Sequence, residues 1–175
     1  GGAGTSGQGN NGGQTGSSPN YTEHNTIDYV TIASAGNAAD FGDRSIAGWY
    51  PGGFSSATRG VMGGAVAQPT AYSDIIDYIT IASTGDATDF GNLLAGNGYL
   101  AGCSSSVRGV FGGGYAPGIV NVMQYITIAS TGDAADFGDL VAATAYLAAT
   151  SNNIRGVFSG GFSPEASNVI QYITI

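Results

Sequence analysis

Lysine is absent from this 175-residue sequence, and four arginines stand against twelve acidic residues, for a formal net charge of −8. A chain with no basic patch does not neutralise successive phosphates, which argues against a nucleic-acid partner. An anionic lipid surface is disfavoured for the same reason. The one cysteine, Cys103, allows no intrachain disulfide, and it reads as a small, partly buried apolar residue. The one histidine, His24, precedes the patterned part of the sequence. No Ser-His-Asp arrangement recurs and no Cys-His pair lies close in sequence, so nucleophilic catalysis has no visible machinery. A copper site has too few ligands, and the glycine clusters lack phosphate-loop spacing. The expectation is a protein that is not an enzyme and carries no cofactor. No apolar run approaches the length of a membrane span. Residue 1 is Gly and the only methionines are Met62 and Met123, so the chain reads as processed or as part of something longer, with any signal peptide lost from it.

Charge is scarce, at 9% of residues, but glycine is not: there are 31. Eight of them fall in residues 1–20, among small and polar neighbours, and residues 1–24 read as a Gly-rich linker or tail. From Asn25 the texture changes. NTIDYVTIAS recurs as DIIDYITIAS, NVMQYITIAS and NVIQYITI. Tyr29, Tyr78, Tyr125 and Tyr172 set the register, at spacings of 49, 47 and 47. Asp40, Asp89 and Asp136 lie 11 residues after the first three of these, Tyr50, Tyr99 and Tyr146 lie 21 after, and Arg59, Arg108 and Arg155 lie 30 after. Residues 25–175 thus hold three repeats, 28–76, 77–123 and 124–170, followed by a final strand, 171–175. The second and third repeats share 28 of 47 residues. The two extra residues of the first fall between Gly64 and Ser73, which marks a surface loop. Repeats of this length indicate propeller blades or stacked arrays.

Each repeat carries two strong strand signals. I-D-Y-I-T-I alternates apolar and polar residues with β-branched and aromatic types, and R-G-V-F-G-G-G is a short apolar strand that ends in glycines. The stretch A-S-T-G-D-A-x-D-F-G-D-L is rich in turn formers and predicts a loop that closes in a short strand at Phe-Gly-Asp-Leu. LAGNGYLAG, and its counterpart LVAATAYLAA, read as a strand or one helical turn, with VAATAYLAA the best helix candidate. Three or four strands per repeat match the blade of a β-propeller.

Four sets of residues are candidate sites. Arg59, Arg108 and Arg155, always before Gly, are expected to form structural ion pairs with Asp40, Asp89 and Asp136, because the planar guanidinium fork suits a carboxylate. Asp133, Asp136 and Asp139 are a weak Ca²⁺ candidate, three oxygen-bearing side chains within seven residues. The competing reading is Asx turn chemistry, and the expectation is no metal. Trp49 and Tyr50, in a Gly-Trp-Tyr-Pro-Gly-Gly loop, with Tyr115 and Phe162 in variable loops, are candidates to stack on a sugar ring. The register tyrosines read as packing residues.

R-G-V-F-G-G-G, a variable loop and N-V-I-Q-Y-I-T-I together resemble the core of a kelch repeat, although F-G-D-L stands near the place of that family's tryptophan. The longer phrase D-Y-I-T-I-A-S-T-G-D-A-T-D-F-G-D-L resembles repeats in virion structural proteins of marine tailed phages, including the tail-fibre and appendage proteins of cyanophages. The resemblance covers residues 25–175. It implies an all-β array of propeller-like blades, located on the virion, whose partners are other virion proteins, copies of itself and a host-surface glycan or protein. The alternative function is a carbohydrate-binding adhesin module not attached to a virion. Three repeats and a strand are few for a closed propeller. They are expected to complete a ring with other chains, to stack as an open array, or to close on a pseudo-threefold axis as a trefoil or prism. An unpaired terminal strand invites pairing, so an oligomer or fibre is expected.

Overall fold

The computed structural model describes residues 22–67 and 71–175; the Gly-rich segment read as a linker lies almost wholly outside them. The described residues are all β, with no helix. Thirteen strands form four antiparallel sheets, and a two-residue ribbon, β13 (Phe162–Ser163) with β14 (Glu165–Ala166), is added to them. The first sheet pairs β1 (Thr26–Tyr29) with β2 (Ala39–Asp43). The second is a meander of β3 (Gly52–Ser55), β4 (Arg59–Ala67), β5 (Ala71–Thr80) and β6 (Thr88–Asn92). The third repeats that order with β7 (Ala101–Ser104), β8 (Arg108–Gly112), β9 (Val122–Thr127) and β10 (Ala135–Asp139). The fourth has β11 (Ala148–Ser151), β12 (Arg155–Ser159) and β15 (Ile170–Thr174).

Each expected strand signal forms a strand. R-G-V-F becomes the second strand of a sheet, I-D-Y-I-T the third, and the D-F-G segment the fourth. The sheets are offset from the sequence repeats. β3, β4 and residues 71–76 of β5 come from one copy, residues 77–80 of β5 and all of β6 from the next. One copy therefore cannot complete a sheet.

VAATAYLAA is not helical. Residues 141–147 are bends with one bridge, and β11 follows. Tyr146 there has φ 59°, which no right-handed helix contains. The two extra residues of the first repeat lengthen the β4–β5 hairpin, whose strands run to nine and ten residues.

The second sheet packs against the third, and the third against the fourth. One apolar cluster joins Val61, Ile76 and Phe90 of the second sheet to Phe111 and Ile126 of the third. The other joins Val110 and Met123 of the third sheet to Phe158 of the fourth, with Ile173 packed against it. Neither cluster joins the second sheet to the fourth, and no sheet closes into a barrel among the described residues. Both clusters thus lie between sheets that are neighbours in sequence order. The glycines after Val61-Met62 and Val110-Phe111 make this close packing possible. A Cβ on Gly63 would lie 2.6 Å from the Phe111 ring, and one on Gly112 would lie 2.9 Å from the Phe158 ring.

The recurring D-F-G is a β-bulge. Asp77 pairs with Asp89 and Ile76 with Gly91, so Phe90 has no opposite residue; Phe41 and Phe137 are skipped in the same way. A bulge turns the extra residue out of the ladder. Phe90 then sits in the core, and its freed carbonyl accepts from Gly132 N–H at 2.7 Å, as that of Phe41 accepts from Gly85 N–H at 2.7 Å. The bulges at Phe41 and Phe90 thus also bond their sheets to the next copy.

Candidate functional site

Tyr50, Tyr99 and Tyr146 each enter the first strand of a sheet with φ of 59°, 60° and 59°, and they are the only non-glycine residues at positive φ among those described. A bulky side chain in that region carries backbone strain. A backbone ladder holds it: Tyr99 N–H donates to Tyr50 C=O at 3.0 Å, and Tyr146 N–H donates to Tyr99 C=O at 3.0 Å. The rings follow. Tyr50 and Tyr99 centroids are 4.4 Å apart, as are those of Tyr99 and Tyr146. Tyr50 and Tyr146 are 6.4 Å apart and edge-to-face, so the row bends instead of running straight.

The bend borders a shallow, open cleft of about 260 Å³, lined by the three tyrosines with Pro51, Leu100 and Leu147. The outer rings are 55% and 57% exposed. Tyr99, between them, has its phenol pushed up to about 12, first by burial of the ring and then by its side-chain hydrogen bond with Tyr146. A second aromatic pair, Tyr72 and Tyr115, has centroids 5.7 Å apart. The Tyr72 phenol is also raised, mainly by desolvation and then by Tyr115 and Tyr146.

The four residues expected to bind sugar are therefore divided. Tyr50 belongs to the tyrosine row. Trp49 is half-buried and forms a two-way backbone bridge with Val66, at 2.9 and 2.8 Å. Tyr115 and Phe162 occupy the place of Val66 in later copies, bridged to Gly98 and Ala145. The sequence carried the signal for Tyr99 and Tyr146, a tyrosine at the same offset in every copy. It did not carry the bend that gathers them.

The arginines do something other than expected. Arg59 lies 4.3 Å over the Tyr78 ring, and Arg108 and Arg155 lie 4.5 Å over Tyr125 and Tyr172. The pairs with Asp40, Asp89 and Asp136 do not form; the one ion pair among the described residues is Arg44–Asp77. Topology is the reason. Arg59 is on β4 and Asp89 on β6, with β5 between them, and two strand spacings of roughly 4.8 Å separate them. Tyr78 on β5 fills that interval, its face under the guanidinium and its ring edge-to-face with Phe90 at 5.9 Å. Arg59 Nη1 also donates to Ile128 C=O, just after β9 of the third sheet, at 2.6 Å.

The acids tie copies together. Asp133 Oδ1 accepts from Asn92 N–H at 2.9 Å and from Asn92 Nδ2 at 3.3 Å, and Asp86 Oδ1 accepts from Asp43 N–H at 3.0 Å. Asp136 Oδ1 accepts from Gly138 N–H within its own bulge. Asp133, Asp136 and Asp139 do not converge, and among the described residues no three His, Cys, Asp or Glu side chains are grouped to hold a metal ion. Serines make another ladder: Ser104 Oγ donates to Ser55 C=O and Ser151 Oγ to Ser104 C=O, both at 2.7 Å. With Asn152 and Asn153 they line a polar groove of about 470 Å³.

Cys103 is buried, and desolvation pushes its thiol up to about 12, which leaves no thiolate for chemistry at neutral pH. His24 accepts through its backbone carbonyl from Gly48 N–H. No helix among the described residues is long and apolar enough to cross a membrane. No protein-family model matches the chain, and no curated protein matches it.

Proposed function

We propose that this chain is a structural component of a phage virion, a fibre or surface appendage built from kelch-like, propeller-blade-like repeats, and that its tyrosine face contacts the host surface. The observation that carries this reading is the bonding between copies. Every junction is closed by backbone ladders at Tyr50, Tyr99 and Tyr146, by bulge carbonyls and by Asp86 and Asp133. Such an array extends by repetition, each unit needing only its neighbours, and this suits a mechanical particle component. The repeat phrase and the Gly-rich lead-in support the same reading, with copies of the chain and other virion proteins as partners. Mass spectrometry and immunogold labelling of purified particles test it. The chain is expected at fixed stoichiometry on an appendage, and its recovery only as a free secreted monomer refutes the proposal. Mass from light scattering is expected to give an oligomer.

The exposed tyrosine row favours a second reading, a carbohydrate-binding module independent of a virion. A monomer that binds glycans and is absent from particles distinguishes it from the first.

A further inference from the structure

The fold asks for positive φ at residues 50, 99 and 146 so that the ladder between copies can form. Glycine meets that demand without strain, and asparagine with little. Tyrosine meets it at a cost, and the rings of Tyr50 and Tyr146 return little of it to the core, because more than half of each is exposed. At Tyr50 and Tyr146 the repeated side chain is thus one that neither the backbone nor the core requires. The cleft has no charged residue in its lining; its walls are phenol rings, Pro51, Leu100 and Leu147. Its polar groups are phenol hydroxyls, each able to donate and accept. At about 260 Å³ it lies just below the usual range for drug-sized ligands, roughly 300–1,000 Å³, and suits one ring-sized group.

We infer that this cleft binds a single neutral sugar ring of a surface polysaccharide. The C–H face of the pyranose packs on the phenol rings, and its hydroxyls bond to the phenol hydroxyls. Charge selects the neutral class. The chain carries −8 and the cleft offers no cation, so a uronic or sulfated sugar is repelled. Arg59, Arg108 and Arg155 do not offset this, being held over Tyr78, Tyr125 and Tyr172 outside the lining. This inference deepens the host-contact part of the proposed function, and its test does not depend on particle location.

The full 175-residue chain is titrated by saturation-transfer NMR and calorimetry. The probes are methyl pyranosides of glucose, galactose, mannose and N-acetylglucosamine, their neutral hexasaccharides, and an oligogalacturonate as acidic control. Saturable binding of at least one neutral sugar is expected, with none of the acidic oligomer. Tyr50→Asn and Tyr146→Asn, which keep positive φ accessible, are expected to weaken binding about tenfold each with the unfolding temperature preserved. Should either variant unfold, Tyr50→Phe and Tyr146→Phe keep the rings, remove the hydroxyls, and are expected to bind more weakly in a folded chain. No neutral sugar bound, binding unchanged in the folded variants, or tighter binding of the acidic oligomer overturns the inference. Sugar binding by a chain absent from virions leaves this inference standing and removes the virion reading.

Discussion

Replacing Arg44 by leucine separates what a buried ion pair does for this fold from what leucine and glutamine do in its place elsewhere in the chain. Arg44 is 7% exposed and Asp77 fully buried. Arg44 Nε donates to Asp77 Oδ2 at 3.2 Å, Arg44 Nη1 to Gly64 C=O at 3.3 Å, and Ser45 Oγ to Asp77 Oδ1 at 2.6 Å. Arg44 Nη2 has no partner, and desolvation lowers the arginine's pKa against the opposing pull of Asp77. The equivalent positions in the next copies are Leu93 with Gln124 and Leu140 with Gln171. There the glutamine Oε1 accepts from Leu94 N–H at 2.7 Å and from Val141 N–H at 2.8 Å. The molecule therefore contains its own apolar substitute for the pair. Arg44→Leu alone strands a buried carboxylate and is expected to cost about 3–5 kcal/mol. In a chain of this size that lowers the unfolding temperature by roughly 6–20 °C, at about 2–4 °C per kcal/mol. Arg44→Leu with Asp77→Gln copies the later repeats and is expected to range from neutral to about 4 kcal/mol more stable than the parent. Urea unfolding followed by circular dichroism, on the parent, both single variants and the double variant, yields the coupling energy. A double variant as unstable as Arg44→Leu would refute the reasoning, since the cost would then lie in lost packing and not in the unpaired charge.

Further expectations concern the sheet interfaces and the titrating groups. Phe158→Ala, which empties a fully buried site, is expected to cost about 3–5 kcal/mol in the same unfolding assay. Gly112→Ala, which drives a methyl group into the Phe158 ring, is expected to cost about 1–3 kcal/mol, and combining it with Phe158→Ala is expected to cost less than the sum. Cys103, with its thiol raised to about 12 by burial, is expected to resist a thiol reagent at pH 8 and to react fully in denaturant; rapid native labelling would contradict its placement. Tyr99 is neutral-stabilised, its phenol raised from 10.0 to about 12. The folded state binds that proton more tightly than the unfolded state, so its contribution is complete below pH 10 and is lost as pH rises towards 12. Unfolding midpoints are expected to fall across that window, and less so in Tyr99→Phe, with ultraviolet titration of the parent showing late phenols at Tyr99 and Tyr72 and of the variant showing one fewer.

The strand content followed from local chemistry. Val, Ile, Thr and Tyr alternate in I-D-Y-I-T, the glycines close R-G-V-F-G-G, and both segments pair as read. The repeat offsets also determined which positions would be equivalent, because the offsets of 11, 21 and 30 residues from each register tyrosine are the same in all three units. Pairing across strands was not legible. Arg59 and Asp89 looked complementary by charge, but charge carries no information about which strand lies between them, and Tyr78 lies there. VAATAYLAA looked helical because alanine favours helices locally, and the ladder at Tyr146 overrode that preference. The boundary of a sheet, straddling two copies, and the gathering of Tyr50, Tyr99 and Tyr146 into one cleft were likewise settled only in three dimensions. Both depend on how each unit is rotated against the last, which is fixed by the packing of Phe111 and Phe158 on glycines of the preceding unit. The sequence by itself determined the period, the strands and the repeated side chains. Tertiary packing decided which of those side chains meet, because long-range contacts between units have no counterpart in the local pattern that makes a strand.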